Sequence, residues 1–145
     1  MPDRDYSHRA VTDKLGLRPG HVVRVVGQGD RYLLTQVREK IGGRLAGDKQ
    51  IADVVLYWPK SAAEIPTRLG QLRSQIVPNG GIWVITAKRG CVSSNGMAYF
   101  NQDLLIPLGA EVGLVDNKTC SLSERESAMR FVIRRKDRRK WRIPE

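Results

Sequence analysis

Residues 21–32 read HVVRVVGQGDRY. A β-branched run ends in Gly27-Gln28-Gly29, and residues of helical spacing follow. Glycines at the carboxyl end of a strand let backbone N–H groups approach a phosphate or a nucleoside. The chemistry this allows is nucleotide or cofactor binding, with Gly27, Gln28 and Gly29 in contact. A full dinucleotide fingerprint needs a third glycine, where this chain has Tyr32. It also needs a carboxylate on the next strand, and Asp48 is the only acid in residues 42–52, where no strand is expected to present it.

Lys60 follows a second apolar run, DVVLYW, and Lys88 and Arg89 follow a third, IWVITA. If the three runs are parallel neighbouring strands, these cations and Gly27–Gly29 meet at one edge. That edge is an anion site of backbone donors and three cations, or simply three solvated loops. A second basic group is denser. Residues 134–145, RRKDRRKWRIPE, hold seven basic and two acidic residues, which is half of the chain's net charge of +10. Arg134, Arg135, Lys136, Arg138, Arg139, Lys140 and Arg142 suit contacts to phosphate backbones, with Trp141 able to stack on a base. Such binding is salt-sensitive and largely independent of sequence. The other reading is a solvated terminus that aids solubility.

Other chemistry lacks its partners. Cys91 and Cys120 form no metal-spaced pair, and His8 and His21 are the only histidines. Cys91 lies near Lys88 and Arg89, which lower a thiol's pKa, but no histidine is placed as its base. Ser93 and Ser94 have no G-x-S-x-G context. No carboxylate pair has a catalytic spacing. No catalytic residue and no metal ligand is assigned.

The elements that position these groups follow from periodicity. The chain has 145 residues, 41% of them apolar, which suits one domain over 1–135 with a basic tail at 136–145. Ser7 caps a first helix through Lys14. His21–Val26 is a strand, and Asp30 caps a helix over Arg31–Ile41 whose Leu33, Leu34, Val37 and Ile41 share a face. Asp53–Trp58 is the second strand. Ser61 and Glu64 form a capping box for a helix whose inward stripe is Ile65, Leu69, Leu72 and Ile76. Val77–Gly81 is a turn into the third strand, Ile82–Ala87, and Asn101 caps a fourth helix over Gln102–Leu108. A hairpin closes the chain, with strands near Leu114–Ser121 and Ala128–Arg134 and a turn at Ser123–Glu126. In the hairpin Lys118 and Arg130 can pair with Asp116 or Glu124, and Asn117 suits a left-handed bulge. These residues form a binding surface or a network that fixes the hairpin. The pattern predicts an α/β three-layer sandwich with a mostly parallel sheet and a C-terminal antiparallel hairpin. No apolar run reaches membrane-spanning length, and MPDRDYSHR lacks the apolar core of a signal peptide. A reduced, cytoplasmic protein is expected.

DVVLYW, the helix after it, VPNGG and IWVITA together resemble the second half of a class I, S-adenosylmethionine-dependent methyltransferase. That family's cofactor loop is D-x-G-x-G-x-G. Laid on this chain, its acid falls on Val25 and its last glycine on Arg31. The middle of the domain is also short by about one βα unit. The resemblance implies a degenerate methyltransferase-like scaffold with an eroded cofactor site. Residues 113–135, GLVDNKTCSLSERESAMRFVIRR, resemble a bacterial family, domain of unknown function family 3052, with Glu126 where many of its members have Trp. That resemblance extends to residues 53–87 and 15–20. It implies a methyltransferase-like fold without an assigned reaction, and supplies no catalytic residue.

Two functions from different classes follow. One is a non-enzymatic domain that binds RNA, DNA or a nucleoprotein particle through the tail, with no cofactor. The other is a nucleotide- or S-adenosylmethionine-binding protein or enzyme that uses the edge around Gly27–Gly29. A contact between the hairpin 113–135 and a protein partner is a third.

Overall fold

The computed structural model describes residues 10–138. Five strands form one sheet: β1 (Val23–Val26), β2 (Ala52–Tyr57), β3 (Ile76–Ala87), β4 (Leu114–Ser121) and β5 (Glu126–Ile133), in the order β1-β2-β3-β5-β4. β1, β2 and β3 are parallel, and the β4–β5 hairpin joins β3 antiparallel through β5. The α/β sandwich with a C-terminal hairpin expected from the sequence is the architecture found.

Two apolar clusters cover the two faces. On one face, α2 (Arg31–Ile41) lays Leu33, Val37 and Ile41 against Val54, Leu56, Trp58, Trp83 and Ile85. Leu15 and Leu17, just after the short helix α1 (Val11–Lys14), join the same cluster. On the other face, Ile65, Leu69 and Leu72 of α3 (Ile65–Arg73) and Leu105 of α4 (Leu105–Glu111) pack on Val55, Tyr57, Ile82, Val84 and Phe131. Strand residues alternate between these clusters because successive side chains point to opposite faces.

Local chemistry sets the ends of α2 as the sequence predicts. Asp30 accepts the Leu33 N–H at 3.0 Å, and Gly42 closes the helix with φ 75° and an N–H bond to the Arg38 carbonyl. The salt bridge from Lys40 to Asp13, 3.0 Å, ties α2 to α1.

Several local expectations are corrected. The segment Val77–Gly81 is not a turn between elements but a bulge inside β3: Ala52 pairs with Ile76, and Val54 already with Gly81. Asp53 of β2 thus faces residues 77–80 of β3, and the extra residues bow out of the ladder. Ser61 makes no capping bond, and Glu64, instead of reaching back to close the box, turns to Tyr57 and accepts its phenol O–H at 2.7 Å. A single turn over Ala62–Glu64 precedes α3 instead, with Pro66 in the first turn, where its missing N–H costs nothing. The fourth helix begins with a tight turn at Gln102–Leu104, capped by Asn101 as expected, and runs on to Glu111. Pro107 thus falls near its start. The second hairpin strand begins at Glu126. Asn117 lies in a bulge, yet among the described residues none other than glycine has positive φ. Ser7, His8, Arg139, Lys140, Trp141 and Arg142 lie outside the described residues.

Among the described residues no helix is long and apolar enough to cross a membrane, and no three His, Cys, Asp or Glu side chains gather as a metal site.

Candidate functional site

Because β1, β2 and β3 are parallel, the segments after them emerge at one edge, here termed the carboxyl edge. Gly27–Gly29, Lys60, Lys88 and Arg89 all belong to it. They do not converge. A Cβ on Gly27 would sit 2.1 Å from the Trp58 carbonyl oxygen, and one on Gly29 would sit 2.7 Å from the Trp58 indole. Gly27 also has φ 90°. Close approach to Trp58 therefore accounts for both glycines. Trp58 is fully buried, and its carbonyl accepts the Asn95 amide at 2.9 Å. Its indole N–H donates to Glu126 Oε2 at 3.1 Å, and the same oxygen accepts the Ser94 N–H at 2.8 Å. The β3–α4 segment is thereby pinned over the end of β2.

The edge cations turn to different neighbours. Lys88 donates to Ser121 Oγ at 2.7 Å, and Arg89 lies over the Tyr99 ring, 5.4 Å from its centre. Both border a cavity of about 340 Å³ that neither Lys60 nor the glycines reach. Lys60 is exposed. A larger cavity, about 610 Å³, opens beside the glycine loop rather than on it. Asp30, Tyr32 and Gln36 of the α2 start line one side, and Ser94, Arg125 and Glu126 line the other. Tyr32 is 73% exposed.

The family described as methyltransferase small domain N-terminal matches residues 31–123. The chain belongs to that family. No curated protein matches the sequence. Among the solved structures similar to it are methyltransferases. CcbJ from Streptomyces caelestis is 12% identical, with 90% of each chain covered and a TM-score of 0.54. The 1,6-didemethyltoxoflavin-N1-methyltransferase of Burkholderia thailandensis, solved with S-adenosylhomocysteine, is 13% identical over 89% of this chain and 78% of that one, with a TM-score of 0.61. A TehB-like S-adenosylmethionine-dependent methyltransferase from Corynebacterium glutamicum is 11% identical over 92% and 90%, with a TM-score of 0.53. At such identities the likeness is one of fold.

Membership of a methyltransferase family raises the question whether S-adenosylmethionine fits at the end of β1. In doubly wound sheets the ligand crevice opens where the strand order reverses, with strands on both sides of the first one. Here β1 is the outermost strand, so that crevice lacks one wall. The strand that would carry the ribose-binding acid is missing among the described residues. With Gly27 and Gly29 closed against Trp58, the residues at this position do not fit the cofactor.

The amino edge of the sheet gathers charge that the sequence pattern did not assign to it. β5 runs antiparallel to β3, so it ends at Ile133 beside the start of β3, away from Lys88 and Arg89. Arg134, Arg135, Lys136 and Arg138 therefore leave the sheet at the amino edge. Arg134 donates to the Ala110 carbonyl at 3.2 Å and Arg138 to the Ile133 carbonyl at 3.0 Å, while Arg135 and Lys136 are exposed. Lys118 and Arg130 stand directly opposite each other on β4 and β5. The expected pairing with Asp116 or Glu124 is absent, and no carboxylate among the described residues bonds to either. Burial and the charge of Arg138 both pull the Arg130 pKa downward. The signal for this cluster was in the hairpin: an antiparallel return must carry its end to the edge opposite the parallel loops. Cys120 is half-buried, and burial pushes its thiol pKa up, with Lys14 and Lys118 pulling the other way.

Proposed function

We propose that this member of the methyltransferase small domain N-terminal family is a non-catalytic methyltransferase-fold domain that binds a nucleic-acid backbone through its basic amino edge and tail. One observation carries the reading: β5 delivers the first tail cations to the edge where Lys118 and Arg130 already face each other without a carboxylate partner among the described residues. Arg139, Lys140, Trp141 and Arg142 continue that run in the sequence. The resemblance of residues 113–135 to domain of unknown function family 3052 agrees with a fold kept without its reaction. Lys60, Lys88 and Arg89 lie at the other end of the sheet and take no part. Fluorescence anisotropy with a generic single-stranded oligonucleotide tests the reading. Binding that weakens steeply with salt supports it, and no binding at low salt overturns it.

The cavity of about 610 Å³ beside α2 favours a small-ligand role as the alternative. It falls in the usual size range of ligand pockets, roughly 300–1,000 Å³, and Tyr32 offers a ring for stacking. Calorimetry with S-adenosylhomocysteine separates the two. Saturable binding that disappears in Tyr32→Ala assigns the cavity to a cofactor-like ligand.

A further inference from the structure

The amino edge also holds a cleft of about 350 Å³, walled by the α1–β1 connector, the β3 bulge and the hairpin. Its lining includes Lys14, Arg18, Lys118 and Arg130, together with His21, against the single carboxylate of Asp53. The cations arrive from separate parts of the chain: Arg18 from the turn before β1, Lys118 from β4, Arg130 from β5. Only the fold brings them together.

Among the described residues no carboxylate bonds to Lys118 or Arg130, and Asp53 is the one carboxylate in the lining beside them and Arg18. Asp53 is engaged, since its Oδ2 accepts the Val22 N–H at 2.8 Å. His21 Nδ1 accepts the Arg18 N–H at 3.1 Å, so the neutral imidazole carries its proton on Nε2 and presents a further donor. Lys14 donates to the Ser121 carbonyl at 3.4 Å. Lys118 and Arg130 are direct cross-strand neighbours, an arrangement that destabilises a hairpin when both are charged. Arg130 nevertheless packs closely on β3. A Cβ on Gly81 would lie 2.4 Å from Arg130 Nε, so the guanidinium rests on the β3 backbone in space that a glycine alone leaves. The neighbouring bulge places Asn79 and Gly80 in the same wall.

We propose that this cleft binds a phosphate group, with the Arg130 guanidinium as the forked donor and Lys118, Arg18 and His21 around it. A guanidinium fork matches two phosphate oxygens, and the added cations and imidazole N–H supply the remaining donors. An anion at this point removes the Lys118–Arg130 repulsion. The cleft admits a mono- or diphosphate, free or at the end of a polymer, but not a duplex. The site shares Lys118 and Arg130 with the nucleic-acid surface proposed above but uses no residue of the tail.

The test is a titration of the full chain with pyrophosphate at constant ionic strength, followed by NMR shifts of the Arg130 Nε–H and the backbone amides of Asn79, Gly80 and Lys118. Saturable shifts at these positions are expected. Lys118→Gln, an exposed change on β4 that leaves the fold intact, is expected to weaken binding by about tenfold or more, and Lys60→Gln, at the other end of the sheet, to leave it unchanged. Arg130→Lys keeps the charge but loses the fork, and is expected to weaken binding as well. Shifts that rise linearly without saturation, or that match in Lys118→Gln and the parent chain, overturn the site. Nucleoside monophosphate competing as well as a 5′-phosphorylated oligonucleotide assigns the phosphate to a free small molecule. An advantage of the 5′-phosphorylated oligonucleotide over its 5′-hydroxyl form assigns it to a strand end. Oligonucleotide binding through the tail without pyrophosphate shifts overturns the cleft alone. Pyrophosphate shifts without oligonucleotide binding overturn only the proposed function.

Discussion

Trp58 and Glu126, 68 positions apart, are joined by a buried hydrogen bond from the indole N–H to the carboxylate at 3.1 Å. This bond closes the carboxyl edge of the sheet. It fixes the end of β2 to the start of β5, and through Ser94 it holds the β3–α4 segment in place. An edge that would otherwise offer backbone donors to a ligand is occupied by the protein's own side chains.

Removing the carboxylate should therefore cost more than one ordinary hydrogen bond. Glu126→Ala leaves two N–H donors, from Trp58 and Ser94, without their acceptor. A loss of about 2–4 kcal/mol in urea unfolding is expected. Glu126→Gln keeps an acceptor oxygen and should lose about half of that or less. Equal losses for the two variants would show that the bond is not what holds the edge.

Gly29 should behave as a packing residue. Gly29→Ala pushes a methyl group against the Trp58 ring and should cost about 1–3 kcal/mol in stability. Nucleotide or S-adenosylmethionine affinity should not be what changes. A variant as stable as the parent that loses a nucleotide ligand would return the loop to a binding role.

Tyr57 gives a pH dependence. Its phenol is buried and donates to Glu64, and burial first, then the bond to Glu64 and its charge, hold its pKa far above the ordinary tyrosine value. The folded chain thus keeps a proton that the unfolded chain releases. The stability this group contributes is fully present below a pH of about 10 and declines as pH rises beyond it. Spectrophotometric titration should show the Tyr57 phenol ionising only with unfolding. In Tyr57→Phe the alkaline loss of stability should shrink.

Lys118 and Arg130 give a prediction about stability traded for binding. Lys118→Glu replaces a like-charge pair by an opposite one and should stabilise the chain by about 0.5–1 kcal/mol at low salt, with less effect at high salt. The same change should abolish pyrophosphate binding. Destabilisation on replacing Lys118 would mean that the pair is held by interactions other than charge.

The sequence made the frame legible and hid the edges. Three β-branched runs separated by helical spacing were enough for the parallel strands, since fully buried strands of this kind read as continuous apolar segments. Asp30 marks the start of α2 because capping is decided by immediate neighbours. Ser61 and Glu64 obey the same local rule and still make no capping box. Glu64 finds the Tyr57 phenol instead, and no rule of spacing sees that contact. The Pro78-Asn79-Gly80-Gly81 stretch carries turn residues, but parallel pairing with β2 on both sides keeps it in the strand as a bulge. The glycines of residues 27–29 looked like a phosphate cradle because a ligand and an indole ring both demand the absence of a side chain. The cations were grouped by strand ends, which is right for parallel strands. The antiparallel return of β5 carries Arg134, Arg135, Lys136 and Arg138 to the other edge.

The central claim is that the charge gathered at that edge and in the tail binds a nucleic-acid backbone. The most direct measurement is the salt dependence of oligonucleotide affinity for the parent chain and for a variant with Arg135, Lys136, Arg139, Lys140 and Arg142 changed to Gln. For every phosphate that the variant no longer neutralises, the slope of log affinity against log salt should become shallower by about 0.7–0.9, and affinity at low salt should fall by more than about tenfold. An unchanged slope and affinity in the variant would contradict the claim.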